Sequence, residues 1–600
     1  MISPLMLSSS PSAISLAGPL APRMPSPLHH LRSERMCLRG GSDRQAETAS
    51  LNATEVARQR ELRKKAKQEE KAQKKLMKQM DKNESEAHRF PTDIPMFCDN
   101  QPCPELFGEM EMVKSQSACT RRYLSSSELD GLPEGESFWI RARVQQSRVK
   151  GNTVFLVLRL QGVTVQAALF KSDSVTKDMI RFCGSIPRES VVDVQGGKVA
   201  ATVTSCKVTT YEVHVQRIYC VSRAAPALPL LLEDAARPSE ARDNVSVEQR
   251  ADADSEQREV VVNLETRLNE RVLDLRSPSH NSIMRIQSHV GQAFRNFLAA
   301  RGFVEIHTPK LQGGSSCEGG AAVFPLDYFG SKAWLAQSPQ LHKQMAVMSG
   351  FERVMEVGPV FRAESSHTSR HLCEFVGLDF EMEISESYAE AMDIVEGFVV
   401  TLLEELYHSQ PLSSHVDEVA KQYPCKRLRC RRAGDNLRLS YKEAVDLLND
   451  RGCTNEDGSK IRHDQDLSTQ LERLLGEIVA EKHETDFFFI TDFPSGVRPF
   501  YSMPSSSDPS SSNSFDAYLR GQEICSGAQR IHDSSLLVES LKSRGIDPSS
   551  MQPYINSFKY GGSPHAGAGL GLERLTMTIL GLDNIRLASM FPRDPKRLSP

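Results

Sequence analysis

Two stretches decide how this chain is read: GPVFRAESSHTSRHLCEFVGLDFEME, residues 358–383, and PHAGAGLGLER, residues 564–574. In the first, the runs RVMEVGPVFRAE (from residue 353) and FVGLDFEME flank a polar loop of serines, histidines and Arg370, a pattern that predicts two strands with a long connection. Arg362 stands at the edge of the first run, where apolar neighbours would anchor its backbone. Arg574 holds the same kind of position where GAGLG gives way to a helix. Guanidinium forks bind phosphate bidentately and keep their charge near neutral pH. The chain has no GxxxxGKS or GxxxxGKT sequence, so nucleotide phosphates would have to be held by side chains such as these. The glycines of GAGLG say little alone, because Gly-rich segments are commonly turns.

Outward from these stretches, Ile286, Val290, Phe294, Phe297 and Leu298 recur on one side of an amphipathic helix that should stop at Gly302. The strand FVEIHTPKL is expected next, ending at Pro309, and FFFITDFP (487–494) and EICSGAQR (523–530) read as further strands. Helices separate these strands without regular βαβ spacing. The economical architecture is α+β, an antiparallel sheet with helices packed against it, over residues 261–600. Residues 137–221 differ, being short β-branched runs parted by Gly and polar turns, which predicts a small all-β barrel within 120–225. Arg148, Arg159 and Gln166 surround the strand aromatic Phe155 there, a set suited to stacking a base and hydrogen bonding its neighbours. A Pro, Ala and acidic stretch over 226–260 reads as a linker.

The whole chain carries 73 Lys+Arg against 77 Asp+Glu, which excludes a polycation, and no apolar run is long enough to span a bilayer. The balance is regional, since residues 58–82 hold eleven Lys/Arg and four Asp/Glu. Residues 51–88 lack the breakers of a helix up to Lys82 and repeat Lys or Arg every three or four positions. That predicts a solvated helix with a basic stripe suited to a polyanion. Residues 1–50 read as a disordered leader, and the Ser-rich, acid-free segment 1–33 has the composition of an organellar targeting peptide. Thirteen cysteines without regular spacing argue against a secreted disulfide framework.

The order of helix, strand and Pro309, then FRAE with its loop, then GAGLGLER follows the three signature motifs of class II aminoacyl-tRNA synthetases. Together with LAQSPQLHKQ (335–344), EICSGAQRIHD (523–533) and FPRDPKR (591–597), they resemble the eukaryotic and archaeal type of aspartyl-tRNA synthetase over residues 137–600. The resemblance implies an anticodon-binding OB-fold, a class II catalytic domain, and an ATP-dependent, magnesium-dependent ligation of L-aspartate to tRNA(Asp). It also implies a cytoplasmic homodimer formed around residues 286–311.

By the same resemblance, Asp379, Gln340 and the loop residue Glu318 receive the substrate ammonium, while Arg530 and Lys343 take its side-chain carboxylate. Two buried cations would then reject asparagine. Arg362 goes to the ATP α-phosphate and Arg574 to the γ-phosphate, both serving catalysis, and Phe375 goes to the adenine. Glu364, Arg370, His371 and Gly571 complete the ATP site. Asp516 and Glu523 match magnesium carboxylates, with Ser526 beside them, and Arg148, Phe155 and Gln166 match readers of the anticodon. The sequence departs from the family at Ala568, where a third Gly is usual and a methyl is tolerated unless positive φ is needed. It departs again in a longer loop, GGSSCEGG, around Cys317. Asparaginyl-tRNA synthetase shares the architecture, but SGAQR and FPRDPKR favour aspartate. A non-catalytic RNA-binding paralogue would be expected to have lost Arg362, Glu523 or Arg574, and all three are present.

Overall fold

A computed structural model describes residues 106–115, 121–238, 261–313 and 322–600, with the backbone of a two-residue strand at Met96–Phe97. The leader, the Lys-rich helix expected over 51–88, and Glu318 with its loop lie outside the described residues.

Alternation builds the barrel. Its elements are β1 (Phe107–Met110), β2 (Ser137–Lys150), β3 (Thr153–Leu160), β4 (Val163–Phe170), α1 (Lys177–Ser185), β5 (Val191–Ala200) and β6 (Tyr211–Ser222). In β3, Val154, Leu156, Leu158 and Leu160 are buried while Thr153, Phe155, Val157 and Arg159 are half-exposed, the period-two pattern of a strand buried on one face. Strands β2, β3 and β4 form an antiparallel meander, and β5 pairs antiparallel with both β2 and β6. A parallel β4–β6 pairing closes the ring, so the five strands leave no open edge. Helix α1 packs Met179, Ile180 and Phe182 onto the barrel core. This is the expected OB-type barrel, extended on its N-terminal side by β1, which joins β6 in parallel.

The linker expected over 226–260 begins later than the composition suggested. Leu230, Leu232 and Ala235 are buried with Val262, and the Ala235 carbonyl accepts from Arg267 and from Gln422. Residues up to 238 are therefore packed, because the leucines among the prolines bury apolar area that a linker would expose.

The body follows as α2 (Pro278–Ala299), β7 (Val304–Glu305), α3 (Gln340–Ala346), β8 (Arg353–Phe361), β9 (Glu374–Glu383), α4 (Ala389–His408) and α5 (Leu412–Gln422). Then come β10 (Leu437–Ser440), α6 (Thr469–His483), β11 (Phe487–Thr491), β12 (Ser514–Leu519), β13 (Gln522–Gln529), β14 (His565–Gly571) and α7 (Leu572–Ile579). Among the described residues the strands form one sheet in the order β10-β11-β12-β13-β14-β9-β8-β7. Every central pairing is antiparallel, as expected, but both outer pairings, β10 with β11 and β7 with β8, are parallel. Helical connections between those partners make the parallel geometry reachable.

Helix α2 starts with Pro278 at its first turn, buries all five residues of the expected apolar stripe, and ends before Gly302, whose φ is +80°. The strand expected after it is cut to Val304–Glu305. Proline 309 has no N–H for a ladder, and Thr308 donates its N–H and hydroxyl to the Glu356 carboxylate at 3.1 and 2.7 Å instead. Residues Leu311–Gly313 join a separate three-stranded sheet.

The sheet's two faces divide by chemistry. Leu378, Phe380 and Met382 of β9, Ala566, Ala568 and Leu570 of β14, and Phe515 and Ala517 of β12 belong to the core shared with α2, α4 and α7. Their alternate neighbours, including Gly377, Asp379, Gly569, Gly571 and Ser526, line a cavity. GAGLG is therefore a central strand and not a turn. A Cβ on Gly567 would stand 2.2 Å from a Glu381 carboxylate oxygen, and one on Gly569 would stand 2.8 Å from Asp379 Oδ1. Ala568 keeps strand pairing on both sides, and its methyl is accommodated because the residue opposite, Gly527, has none: a Cβ there would be 2.9 Å from it.

Candidate active site

The cavity on the sheet's polar face has a volume of about 470 Å³. Asp379 and Arg530 line its floor, and behind them Lys343 and Glu381 complete a quartet of buried charges. Strand β9 presents Asp379 and Glu381, helix α3 presents Lys343 one turn after Gln340, and Arg530 follows the end of β13. Lys343 Nζ lies 3.1 Å from Asp379 Oδ1 and 3.3 Å from Glu381 Oε2. Arg530 Nε donates to Glu381 Oε1 at 2.9 Å, and its Nη2 donates to the Gly567 carbonyl at 2.8 Å. Burial alone would raise the Glu381 carboxyl, but the Arg530 and Lys343 cations outweigh it and hold it below the usual range. At Asp379 burial prevails over Lys343, with Glu356 and Glu381 adding to the rise.

This alters the specificity argument. The two cations expected to stand alone are already matched by Asp379 and Glu381, so the floor is neutral by pairs. Arg530 keeps one nitrogen, Nη1, that makes no hydrogen bond among the described residues. Gln340 is placed in a complementary way. Its amide N–H groups donate to Gln344 Oε1 at 3.0 Å and Glu381 Oε2 at 3.3 Å, which leaves its carbonyl oxygen as an acceptor aimed at no described donor. Gln344 in turn accepts from Tyr554 and contacts His565 Nε2, so its orientation is fixed from three sides.

Toward the mouth, β8 ends on Arg362 and β9 begins beside Phe375, and the Arg362 guanidinium lies 5.4 Å over the Phe375 ring. Glu364 and His371 face each other at 3.8 Å, with the imidazole shifted down chiefly by burial. Arg574, on the first turn of α7 just past Gly571, lies 3.9 Å from Glu523. Arg370 reaches across to Thr469 and, at 4.0 Å, Glu472 on α6. Glu472 was not anticipated, and its carboxyl is pushed up to about 8 by burial and then by Glu523.

Asp516 and Ser526 are directly opposite on β12 and β13, and Glu523 lies just before a bulge in the same pair. Enclosure and then the Asp516 charge push the Glu523 carboxyl up, against Arg574, Arg498 and Arg362. Arg498 is the largest omission of the sequence reading. It forks onto Asp516 at 3.0 and 2.8 Å, donates to Ser526 Oγ at 2.9 Å, and stacks 3.7 Å over Phe493. Its signal was faint, a lone arginine in the loop segment SGVRPF, while the acids it binds lay on legible strands.

A family profile described as "tRNA synthetases class II (D, K and N)" matches residues 263–595. The cytoplasmic aspartate–tRNA ligase of Bos taurus is 45% identical over 498 residues, covering 83% of this chain and 95% of that one. The solved aspartyl tRNA synthetase of Entamoeba histolytica superposes with a TM-score of 0.74 at 41% identity, over 85% of this chain and 100% of that one. The asparaginyl-tRNA synthetase of Pyrococcus horikoshii, solved with asparaginyl-adenylate, gives 0.67 at 28% identity over 80% of this chain and 100% of that one. The chain belongs to the class II aminoacyl-tRNA synthetases, in their aspartyl branch.

As a member of that family the chain is an aminoacyl-tRNA ligase, and its C-terminal FPRDPKR gains a structural meaning. The Arg593 carbonyl accepts from Cys373 N–H at 2.8 Å, and Asp594 holds Arg586 at 2.6 Å. Arg586 donates to the Thr368 carbonyl and contacts His367, so the last residues of the synthetase fasten the loop between β8 and β9. In the barrel, Arg148 and Phe155 are register partners and Gln166 lies opposite Val157, all on one outer face. Phe155 is no part of the barrel core, and its edge meets the exposed Phe170 at 6.1 Å. The Gln166 amide donates to Glu212 at 2.7 Å.

Proposed function

We propose how this fold performs aspartate–tRNA ligation. The reaction has two steps: L-aspartate and ATP give aspartyl-adenylate and pyrophosphate, and aspartate then passes to the 3′-terminal adenosine of tRNA(Asp). The observation that carries the assignment of residues is the quartet Lys343, Asp379, Glu381 and Arg530 beneath the cavity whose mouth holds Phe375, Arg362 and Arg574. Asp379 and the Gln340 carbonyl receive the ammonium, and Arg530 takes the side-chain carboxylate, with Lys343 behind it holding Asp379 and Glu381 in place. The α-carboxylate is thereby left at the level of Arg362. One of its oxygens attacks the ATP α-phosphorus, the bond to the bridging oxygen breaks, and pyrophosphate leaves with that electron pair. Arg362 holds the α-phosphate and Arg574 the γ-phosphate, with the adenine on Phe375 near Glu364, Arg370, His371 and Gly571. No enzyme nucleophile is required, so acceleration comes from orientation and charge stabilisation. The terminal ribose hydroxyl then attacks the aspartyl carbonyl, and AMP departs.

Class II synthetases use ATP with a divalent metal. The residues fit magnesium, since Asp516 and Glu523 are hard oxygen donors on adjacent strands whose mutual repulsion, seen in the raised Glu523 carboxyl, a cation would relieve. When bound, the ion neutralises triphosphate charge. For it, Arg498 would have to share the Asp516 oxygens. Phe155, Arg148 and Gln166 are assigned to the anticodon, and residues 51–88 to non-specific tRNA affinity. A C2 homodimer is assigned to the segment 286–311, where Val304 and Leu311 are exposed apolar residues. No helix among the described residues is long and apolar enough to cross a membrane. A cytoplasmic location is in keeping with the names of the relatives.

The deciding experiment is ATP–pyrophosphate exchange with aspartate and with asparagine, followed by charging of purified tRNA for each amino acid. Exchange and charging with aspartate alone is expected; equal exchange with asparagine would refute the assignment of Arg530.

A further inference from the structure

A second cleft, of about 900 Å³, opens between the barrel and the catalytic body. Arg141, Arg143 and Arg159 line it from β2 and β3, and Lys207 from the loop before β6; Arg276, Arg285 and Lys421 face them from the body. Only two carboxylates, Asp417 and Glu418, share the lining.

The pairing of these charges is incomplete. Glu189, 4% exposed at the barrel's edge, receives Arg159 at 2.6 Å and Arg276 at 3.0 Å, one from each domain. Its backbone has φ +69°, a left-handed conformation unfavourable for a non-glycine residue, and its carbonyl accepts from Arg143 Nη1 at 3.1 Å. One residue thus serves three arginines. Arg143 itself meets that carbonyl and no carboxylate among the described residues, and burial together with Arg276 and Arg159 weakens its hold on its proton. On the other wall, Glu418 takes both Lys207 at 3.4 Å and Lys421 at 2.9 Å, while Asp417 pairs with Arg427. Among the described residues Arg285 donates only to the neutral Asn281 Oδ1, at 2.8 Å.

Two ion pairs across the cleft, Arg276–Glu189 and Lys207–Glu418, would suffice to latch barrel to body. Arg143 and Arg285 are surplus to that latch, and unmatched cations in a half-enclosed cleft raise its potential toward anions. Moreover, Phe155 and Arg159 lie on the same face of β3, four residues or about 13 Å apart. The face assigned to base reading therefore runs directly into the cleft.

We propose that this cleft is a phosphate-binding site separate from the ATP cavity, in which Arg143 and Arg285, flanked by Arg159, Arg276 and Lys207, hold the oxyanions of a free polyphosphate or of an RNA backbone. Because its cations come from both domains, an occupant ties the barrel to the catalytic body.

The test uses the full chain with Arg143→Gln/Arg285→Gln and the charge-keeping Arg143→Lys/Arg285→Lys, neither residue being part of the catalytic machinery. Two probes are applied: sodium tripolyphosphate, read as a rise in Tm, and tRNA(Asp), read as the slope of log Kd against log salt. The ATP cavity contributes equally to each protein, so differences report the cleft. The glutamine variant should lose part of the tripolyphosphate-induced rise, or lower the tRNA salt slope by about 1–2, with aspartate-dependent pyrophosphate exchange unchanged. Loss with tripolyphosphate identifies a free polyphosphate as occupant, and loss with tRNA identifies the RNA backbone. Only the tRNA arm rests on the tRNA-ligase reading. An unchanged response to both probes, or equal loss in the lysine variant, would overturn the proposal.

Discussion

Replacing Arg530 by Gln tests the floor of the cavity most sharply. Arg530 is 5% exposed, is bonded to Glu381 and the Gly567 carbonyl, and keeps donors on Nη1 that the proposed reading gives to the substrate carboxylate. Charge-assisted hydrogen bonds contribute about 1.5–3 kcal/mol each. Losing two lowers kcat/KM for aspartate by roughly 3–6 kcal/mol, on the order of 10²–10⁴-fold. A second cost falls on stability, because Glu381 is left with the Lys343 ammonium and the Gln340 amide, both at 3.3 Å, and breaking a buried ion pair typically costs about 3–5 kcal/mol. The two losses are separated by adding Glu381→Gln, which removes the stranded charge without supplying a carboxylate-binding cation. The double variant should recover much of the lost Tm yet remain defective in aspartate-dependent pyrophosphate exchange, with ATP binding still measurable. Exchange near the wild-type rate in a folded double variant would show that Arg530 does not hold the substrate carboxylate.

Three further outcomes are expected. Phe155→Ala should cost tRNA charging about 1–3 kcal/mol in kcat/KM while leaving pyrophosphate exchange intact, and an equal loss in both assays would point to damage of the fold instead. The Glu573 carboxyl is pushed up from 4.5 to about 7 by burial. Between those values the folded protein binds a proton that the unfolded chain has released, so this group's contribution to stability falls as pH rises from about 4.5 to about 7. Glu573→Gln keeps an acceptor for the Val376 N–H, so it should raise Tm at pH 8 by the equivalent of up to ~3 kcal/mol and flatten the Tm–pH curve over that interval. Deleting residues 1–88 should weaken tRNA binding and reduce its salt slope without altering aspartate activation; an unchanged slope in filter binding would refute the basic-arm reading.

What was legible in the sequence is what periodicity carries. The stripe from Ile286 to Leu298 gave α2, and the alternation in TVFLVLRL gave β3, because one buried face imposes a period on the residues. GAGLG was not legible as a strand for a physical reason: Gly567 and Gly569 lack side chains because the Glu381 and Asp379 carboxylates occupy that space, and a segment so poor in side chains reads equally as a turn. FVEIHTPKL failed in the opposite way, since its apolar rhythm continues past the point where Thr308 and Lys310 turn to Glu356. Within the site, signature motifs located Arg362, Asp379 and Arg574. The residues that answer their neighbours, Glu381 on Lys343 and Arg530, Arg498 on Asp516 and Glu472 beside Arg370, became visible only when three-dimensional contacts showed which charge meets which.

The glycine strand β14 also limits how this enzyme's choice of amino acid can be changed. Any side chain added at 567 or 569 would collide with the acids that neutralise Lys343 and help to fix Arg530. The floor of the pocket is thus closed to enlargement one residue at a time. A redesign for a longer or neutral amino acid would have to work from the walls, through Gln340 and Tyr501, and would need to replace the buried charges, Arg530 included, in matched pairs so that no cation or carboxylate is left alone. The same constraint explains how Ala568 could replace a glycine without penalty: its methyl points to the apolar face, where Gly527 left room, and never enters the substrate's side of the sheet.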